Sequence, residues 1–269
     1  MSVITISRGT LSGGKMLAEC LSQKLGYRCI DRDVIVKKAA SQGVSEQELR
    51  TAVEQPPRPA STLDHRKYIY LALVQAVLAE EVRSGRAIYH GMLGHLLLKG
   101  GIGVLRVRVI APMEFRIRMG QERLQLDRAE TIAYIDKMDH DRRKWTQYLY
   151  GVDWEDPSLY DLVINLEHIN VAQACSLVAE MTKEAYFEFS PEHQAALNDL
   201  ACASRMRAAL ALDPFTSNLE VEVEACCGSV TINGALYDQS GDVERVVRAI
   251  PGVTELTMHE PALPSGAWH

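Results

Sequence analysis

The stretch Val-Ile-Thr-Ile-Ser-Arg-Gly-Thr-Leu-Ser-Gly-Gly-Lys, residues 3–15, decides the fold. Its first half is apolar enough for a short buried strand, and its second half is a glycine-containing turn. Leu17, Leu21 and Leu25 then recur at helical spacing before Gly26 ends the pattern. The sequence therefore predicts a strand, a glycine-rich loop and a helix in direct succession.

The predicted loop, Gly9 to Lys15, fits the pattern G-x-x-x-x-G-K. Backbone N–H groups of such a loop converge on phosphate oxygens, the following helix adds its positive N-terminal end, and the lysine adds a full charge. We therefore expect a nucleotide-phosphate site; the alternative is a turn that only packs a helix. The residues expected to hold the nucleotide are Gly9, Ser12, Gly13, Gly14, Lys15 and Met16.

Strands alternate with helices over the first 185 residues, which is typical of a parallel α/β sheet. The four later strand patterns are short and apolar, and they cover residues 27–30, 87–90, 105–110 and 162–166. Asp31 and Asp33 follow the first of these strands, where they either cap the next helix or meet a ligand. Gln55 to Ser61 contains three prolines and is predicted to be a loop or linker.

Six segments, in order along the chain, resemble the cytidylate kinase-like family, which are P-loop nucleoside monophosphate kinases. They are Ile6 to Lys15, Ile30 to Asp33, Ala87 to Gly91, Ala111 to Arg116, Asp139 to Arg142 with Trp145 and Tyr148, and Trp154 to Leu162. The resemblance covers about residues 1–183. It implies a five-stranded parallel sheet with a helical lid, and a reaction in which ATP with Mg²⁺ phosphorylates a nucleoside monophosphate, with CMP or dCMP favoured.

The same resemblance implies roles for individual residues. Lys15 would lie on the β- and γ-phosphates, and Arg142 would close over the transferring group from the lid. Arg116 is a second catalytic candidate, against the alternative of an ordinary surface arginine. Three residues are expected to meet the acceptor, directly or through hydrated Mg²⁺: Asp31, Asp33 and Gly91.

Two departures from the family pattern bear on catalysis. Met92 stands where the family has an arginine after the glycine, and Met16 stands where a Ser or Thr would help to hold Mg²⁺. His90 is interpreted as a packed or capping histidine. Three functions therefore stay open: an active kinase, a nucleotide sensor without catalysis, and a scaffold with a kinase-like fold.

The pattern changes after residue 185. Residues 186–198 are expected to be a linker, residues 199–260 a small α+β unit of order αββαβ, and residues 261–269 a disordered tail. The unit resembles a BON domain in its hairpin Gly-Ser-Val-Thr-Ile-Asn-Gly, residues 228–234, and its later Pro-Gly-Val, residues 251–253. The resemblance implies ligand binding or oligomer contacts. A regulatory or dimerising role is favoured over a structural appendage, and a homodimer is plausible.

Composition and charge exclude several classes of protein. The chain has 269 residues and a net charge of −6, and residues 1–198 carry 25 basic and 25 acidic side chains, so the excess lies in the C-terminal part. Phosphate-rich nucleic acid is therefore not expected as a partner there. No apolar run approaches the ~18 residues of a membrane helix, and the N-terminus does not resemble a secretory signal. The six cysteines show no CxxC spacing, and the adjacent Cys226 and Cys227 suit neither a tetrahedral metal site nor an ordinary disulfide. No protein-bound metal is therefore expected, and free thiols in a reducing cytoplasm are favoured.

Overall fold

The computed structural model describes residues 2–54, 65–91, 93–99, 103–188 and 190–260. The predicted loop at Gln55 to Ser61, Met92 and the predicted disordered tail lie outside the described residues. All the other residues predicted to form the nucleotide and acceptor sites lie within them.

The first five described strands form one parallel sheet in the order β2-β3-β1-β4-β5. Their bounds are β1 Val3–Arg8, β2 Arg28–Ile30, β3 Ala87–Tyr89, β4 Val104–Ile110 and β5 Leu162–Asn165. Each agrees with a strand predicted from the sequence to within two residues at either end. The carboxyl ends of parallel strands meet at one edge of a sheet, which is where open α/β sheets bind ligands.

Helices cover both faces of this sheet. Their bounds are α1 Gly14–Leu25, α2 Arg32–Ala40, α3 Glu46–Glu54, α4 His65–Val82, α5 Gly94–Leu97, α6 Met113–Leu124, α7 Arg128–Tyr150 and α8 Val171–Met181. On one face, α1 and α8 pack on β1 and β4, with Leu17, Leu21 and Val178 fully buried. On the other face, Ile35 of α2 and Leu73 of α4 lie in a second core. None of the described helices is long and apolar enough to cross a bilayer.

The C-terminal part has its own small sheet and core. Strands β6 Val221–Cys226, β7 Ser229–Gly234 and β8 Glu255–His259 are ordered β6-β7-β8, with β6 antiparallel and β8 parallel to β7. Helices α9 Pro191–Leu212 and α10 Ser240–Arg248 complete the predicted order αββαβ. Val223, Ile232 and Val247 lie in the core of this unit.

The segment 186–198 is not a linker throughout, because α9 already begins at Pro191. The Ser190 hydroxyl accepts a hydrogen bond from the His193 N–H, and proline at the first helical position suits a helix start. Leu197 belongs to the core around α4, whereas Met206 and Leu210 belong to the C-terminal core. One continuous helix is therefore shared by both parts of the chain.

Candidate functional site

The glycine-rich loop lies between β1 and α1, as predicted. Gly13 has a φ of 90°, a left-handed conformation that favours glycine. A Cβ on Gly14 would lie 2.5 Å from Arg8 Cδ, so a side chain at position 14 would clash with Arg8 and the loop backbone fits here only with glycine. The first turn of a helix leaves N–H groups without intrahelical acceptors. The loop therefore presents backbone donors at the carboxyl edge of the sheet.

The Ser12 hydroxyl turns away from this edge and fastens the loop to the sheet. It is fully buried and lies 2.9 Å from the carbonyl oxygens of both Gly9 and Val109. Lys15 behaves differently, because its side chain is 57% exposed and lies 3.8 Å from the Glu19 carboxylate. An exposed pair of this kind contributes little, so the ammonium group is free to move to a phosphate.

Asp139 lies on α7, which is the helix expected to form the lid and is called the lid helix below, and it links this helix to the glycine-rich loop. Its Oδ1 accepts hydrogen bonds from the Thr10 N–H at 3.0 Å and the Thr10 hydroxyl at 2.6 Å. Arg142 Nη1 donates to the same oxygen at 3.2 Å, and Arg116 donates to Oδ2. Although burial alone would raise the pKa of Asp139, the hydrogen bonds from Thr10 and Arg116 hold it below its ordinary value. The carboxylate is therefore charged and accepts hydrogen bonds from both Arg116 and Arg142.

Arg142 lies between the start of the glycine-rich loop and Trp154, which follows the end of α7. Its Nη1 donates to the Arg8 carbonyl oxygen at 2.9 Å, and its guanidinium carbon lies 4.8 Å from the centre of the Trp154 ring. Burial lowers the pKa of Arg142 to about 10, with the Asp139 carboxylate acting in the opposite direction. The group is therefore cationic at neutral pH and poorly hydrated, which strengthens its attraction to an anion.

Arg8 connects the loop to the end of β3. Its Nη1 donates to the His90 carbonyl oxygen at 2.7 Å, and burial lowers the pKa of this arginine. Burial and the nearby Arg8 charge also lower the pKa of His90, so this histidine is neutral at physiological pH. A Cβ on Gly91 would lie 2.0 Å from the hydroxyl of Tyr89, which is 1% exposed. Glycine is therefore required where the strand leaves the sheet.

These groups surround a cavity of about 340 Å³. It is bounded by the loop, the start of α2, the segment after β3, and α7. Its lining includes five basic side chains, Arg8, Lys15, Arg32, Arg123 and Arg142, and three acidic ones, Asp31, Asp33 and Asp141. The chain as a whole is acidic, so this excess of positive charge is local and suits an anionic ligand.

Three almost fully buried side chains that line the cavity have a polar atom without a partner among the described residues. They are Trp145 Nε1, Trp154 Nε1 and His95 Nδ1. Burial, with Arg106 and Arg108 nearby, lowers the pKa of His95 to about 4, so its ring is neutral. Each unsatisfied buried group costs about 1–3 kcal/mol.

The residues expected to meet the acceptor all line the cavity, but two of them have structural partners as well. Asp31 caps α2 by accepting from the Val34 N–H, and Asp33 accepts from Arg50 at 2.7 Å. That hydrogen bond lowers the pKa of Asp33. Gly91 lines the cavity with its backbone. Helix capping and ligand contact, treated as alternatives in the sequence, are thus compatible for Asp31.

Arg116 is not brought into the cavity. Its Nε donates to the Thr10 carbonyl oxygen at 2.7 Å and its Nη2 donates to Asp139, so the guanidinium lies behind the loop. Ser12 is used in fastening the loop, and neither Met16 nor Gly9 is among the lining residues. Ser12 and Arg116 thus hold the loop through their side chains rather than face the cavity.

Sequence reasoning missed Arg8, Asp139 and Trp154 as site residues. Arg8 stands beside the first glycine and Asp139 three residues before Arg142, so both lay within segments already singled out. Their spacing did not show that a carboxylate on α7 would meet Thr10, because this contact joins residues 129 positions apart.

Known proteins resemble the N-terminal part of the chain, which contains this site. The model of the cytidylate kinase-like family matches residues 3–168. A cytidylate kinase of Staphylothermus marinus is 27% identical over 186 residues, covering 68% of this chain and 98% of that protein. A cytidylate kinase of Thermococcus kodakarensis is 27% identical over 167 residues, covering 62% of this chain and 80% of that protein.

A solved structure supports the fold. The crystal structure of an uncharacterized protein from Eubacterium ventriosum matches with a TM-score of 0.53 at 14% identity, over 68% of this chain and 99% of that one. At this identity the likeness concerns the fold alone. The family match ends before α9, so the C-terminal unit lies outside it.

Proposed function

Because the chain belongs to the cytidylate kinase-like family, we propose that it transfers the γ-phosphate of ATP to a nucleoside monophosphate. CMP or dCMP is the first-choice acceptor, since the relatives described above are cytidylate kinases. The observation that carries the proposal is the basic cavity shared by the loop, the end of β3 and the lid helix. Phosphoryl transfer needs positioning and charge stabilisation rather than covalent chemistry, and the cavity offers groups for both.

The loop is proposed to bind the triphosphate of ATP. Gly13 and Gly14 line the cavity with backbone alone, which lets phosphate oxygens approach the backbone N–H groups of the loop. Lys15 supplies an ammonium group that is exposed and weakly paired. The nucleotide thus meets oriented donors and one mobile cation.

The acceptor is proposed to lie against the opposite side of the cavity, beside Asp31, Asp33 and Gly91. Arg32 and Arg123 line the same cavity and add positive charge for the acceptor phosphate. In this assignment, Arg32 and Arg123 take the role that the family gives to the arginine after the glycine, a position that Met92 holds in this chain.

Arg142 is proposed to stabilise the charge on the transferring group. Its side chain is 16% exposed, its guanidinium is cationic at neutral pH, and Asp139 and the Arg8 carbonyl oxygen hold it. Fixed cations in a site with little water stabilise developing charge more strongly than they would in bulk solvent. Arg116 is proposed to act through Thr10 and Asp139 as a positioning residue.

Mg²⁺, when bound with ATP, would neutralise charge on the β- and γ-phosphates. Met16 offers no oxygen for it, so the carboxylates that line the cavity must take this part. Asp33 is already paired with Arg50. Asp31 and Asp141 are therefore the residues that we expect to hold the hydrated ion.

A sensor that binds nucleotide without turnover is the second candidate, and Met16 is the observation that favours it. In this version the C-terminal unit, residues 199–260, is a BON-like module that binds a ligand or a second copy. Gly228 has a φ of 90° and a Cβ there would lie 2.9 Å from the Gly252 carbonyl oxygen, while Gly252 has a φ of 98°, which gives a physical reason for two glycines of the BON pattern. The acidic strand β6 argues against an anionic lipid surface as its ligand.

A coupled assay with Mg²⁺-ATP across CMP, dCMP, UMP, AMP and GMP separates these functions. Turnover that falls in Lys15→Ala but not in Lys183→Ala selects the kinase, since Lys183 is another exposed lysine paired with a glutamate. Calorimetric ATP binding without turnover selects the sensor, and the absence of both binding and turnover contradicts both functions.

The six free cysteines fit a reducing compartment, which supports the proposed cytoplasmic location.

A further inference from the structure

The tip of the β6–β7 hairpin fixes two adjacent cysteines. Cys226 is the last residue of β6, and Cys227 with Gly228 forms the two-residue turn to β7. The φ angles of Cys227 and Gly228 are 51° and 90°, so both are left-handed, as in the type I′ turns that connect tight hairpins. Both cysteines are exposed and unbridged. The turn therefore presents two thiols to solvent from a rigid backbone.

A carboxylate from another element completes the group. Asp199 lies on α9, and its Oδ1 accepts a hydrogen bond from the Cys227 N–H at 2.9 Å. One ligand atom from each of Asp199, Cys226 and Cys227 can be chosen so that all three lie within 4.8 Å of one another. The hydrogen bond holds the carboxylate beside the thiols.

The surroundings of this cluster are acidic. Side chains alternate along β6, so Cys226 shares its exposed face with the glutamates at 220, 222 and 224. Asp199, Cys226 and these glutamates also line a cavity of about 1070 Å³ that extends between α4, α9 and β6. This part of the chain carries the net negative charge of the protein. Its field favours a cation over an anion.

We propose that Asp199, Cys226 and Cys227 bind one thiophilic divalent cation, with Zn²⁺ as the natural choice. Thiolates select Zn²⁺ over Mg²⁺ and Ca²⁺, which prefer oxygen. Zinc with sulfur ligands at about 2.3 Å in a tetrahedron places two sulfurs about 3.8 Å apart, which small side-chain rotations reach from the observed arrangement. Each thiol that binds releases one proton to solvent, and the fourth position stays open to water or a small ligand.

The ion would join the hairpin to α9. At present one backbone N–H of the turn donates to Asp199, and metal–ligand bonds would be added to that contact. Because α9 also packs against α4, the ion would stabilise the junction between the C-terminal unit and the rest of the chain. Binding should therefore raise the melting temperature of the whole protein.

The test uses the full chain, stripped with a chelator and kept reduced with a phosphine. Cd²⁺ titration is followed by the ultraviolet thiolate-to-metal charge-transfer band, and Zn²⁺ affinity is measured by competition with a chromophoric chelator. We expect one ion per chain, with affinity lowered about tenfold or more in Cys226→Ser and Cys227→Ser. Asp199→Asn keeps an oxygen for the Cys227 N–H but loses the charge, and should weaken binding several-fold. Cys29→Ser removes another exposed cysteine and should change nothing.

The proposal is overturned if the reduced wild-type protein binds no ion, or if neither serine variant at the hairpin weakens binding. An equal loss in Cys29→Ser would also overturn it, because binding would then be non-specific. Melting curves give an independent readout: Zn²⁺ should raise the melting temperature of the wild type and of Cys29→Ser, and leave Cys226→Ser unchanged. A rise in Cys226→Ser equal to that of the wild type contradicts the assignment.

Discussion

Replacing Asp139 by asparagine tests whether α7 holds the glycine-rich loop in place. In the native chain, Oδ1 accepts from Thr10 and Oδ2 accepts from Arg116. The asparagine side chain keeps one oxygen for Thr10 but turns an NH₂ group toward Arg116. Two donors then face each other where a charged hydrogen bond existed, so the link from α6 to α7 is lost while the size of the side chain is kept.

The magnitude follows from the character of the lost contact. A hydrogen bond to a charged group contributes about 1.5–3 kcal/mol. The Asp139 and Arg116 side chains are 17% and 14% exposed, so solvent screening is modest, and we expect a loss near the middle of that range. A loss of about 2 kcal/mol lowers the melting temperature of a domain of this size by about 4–8 °C. If about 1 kcal/mol of it orders the loop, ATP affinity falls about fivefold.

Thermal unfolding by circular dichroism and ATP binding by calorimetry check both numbers. The matched control is Asp136→Asn, which makes the same change at an exposed position one turn earlier on α7 and should leave both values unchanged. If Asp139→Asn melts and binds ATP like the control, the contact between lid and loop does not stabilise the site and the reasoning is wrong.

The same variant has a defined pH dependence. Burial would raise the pKa of Asp139, but the hydrogen bonds from Thr10 and Arg116 outweigh it and lower the pKa. The stabilisation is therefore fully present above the unfolded value of about 4 and is lost as the pH falls through the lower folded value. The difference in melting temperature between wild type and Asp139→Asn should stay constant from about pH 7 to 5 and shrink below about pH 4. A difference that grows on acidification would show that another group is responsible.

Two further substitutions address the loop and the end of β3. Lys15→Ala should weaken ATP binding about tenfold or more, because a charged contact to phosphate is lost; calorimetry checks this, and an affinity equal to that of Lys183→Ala refutes it. Gly91→Ala should lower the melting temperature and the turnover together, because its Cβ would lie 2.0 Å from the buried Tyr89 hydroxyl. Gly241→Ala, where nothing lies within 4 Å, is the control, and equal behaviour of the two variants would show that the end of β3 yields without cost.

The parallel sheet could be predicted because each of its strands is a short apolar run next to a strong local signal. Gly26, which ends the predicted α1, has a φ of 68°, and Asp31 caps α2. The residues predicted to end one helix and to begin the next therefore do so in the structure. The short helix α5 was missed, since four residues are too few for a periodic pattern. Local signals of this kind identify elements and leave their spatial order open.

The start of α9 was misplaced for a different reason. The sequence around Pro191 is polar, and the apolar pattern becomes regular only from Ala201, so residues 186–198 resembled a linker. Helical stability in proteins comes mostly from packing against other elements. Here that packing is provided by α4, through Leu197, and no periodicity within the segment itself reveals it.

The candidate site was predictable as a loop and only partly as a constellation. The glycines, Lys15 and Arg142 follow from motif and resemblance, and all but Gly9 line the cavity. Arg116 stays a predicted catalytic residue, but a sequence does not show which way an arginine faces, and the structure places this one against Thr10 and Asp139. The contact of Asp139 with Thr10 depends on how a helix crosses the sheet edge, which is a property of the packed fold.

Helix α9 makes the two parts of the chain mechanically dependent on each other. Leu197 and Ala208 lie in the core with α4, whereas Met206 and Leu210 lie in the C-terminal core, so a shift of the helix disturbs both. Its ion pair with α4, Arg205 with Glu80, is exposed and contributes little, whereas Arg207 donates to the Gln75 side-chain oxygen at 3.0 Å in a partly buried contact. Coupling between the two parts would therefore use the apolar packing and this partly buried hydrogen bond, and packed side chains have discrete arrangements rather than continuous ones. A ligand or ion that fixes the β6–β7 hairpin against α9 thus acts on an element that also packs in the core with α2 and α4.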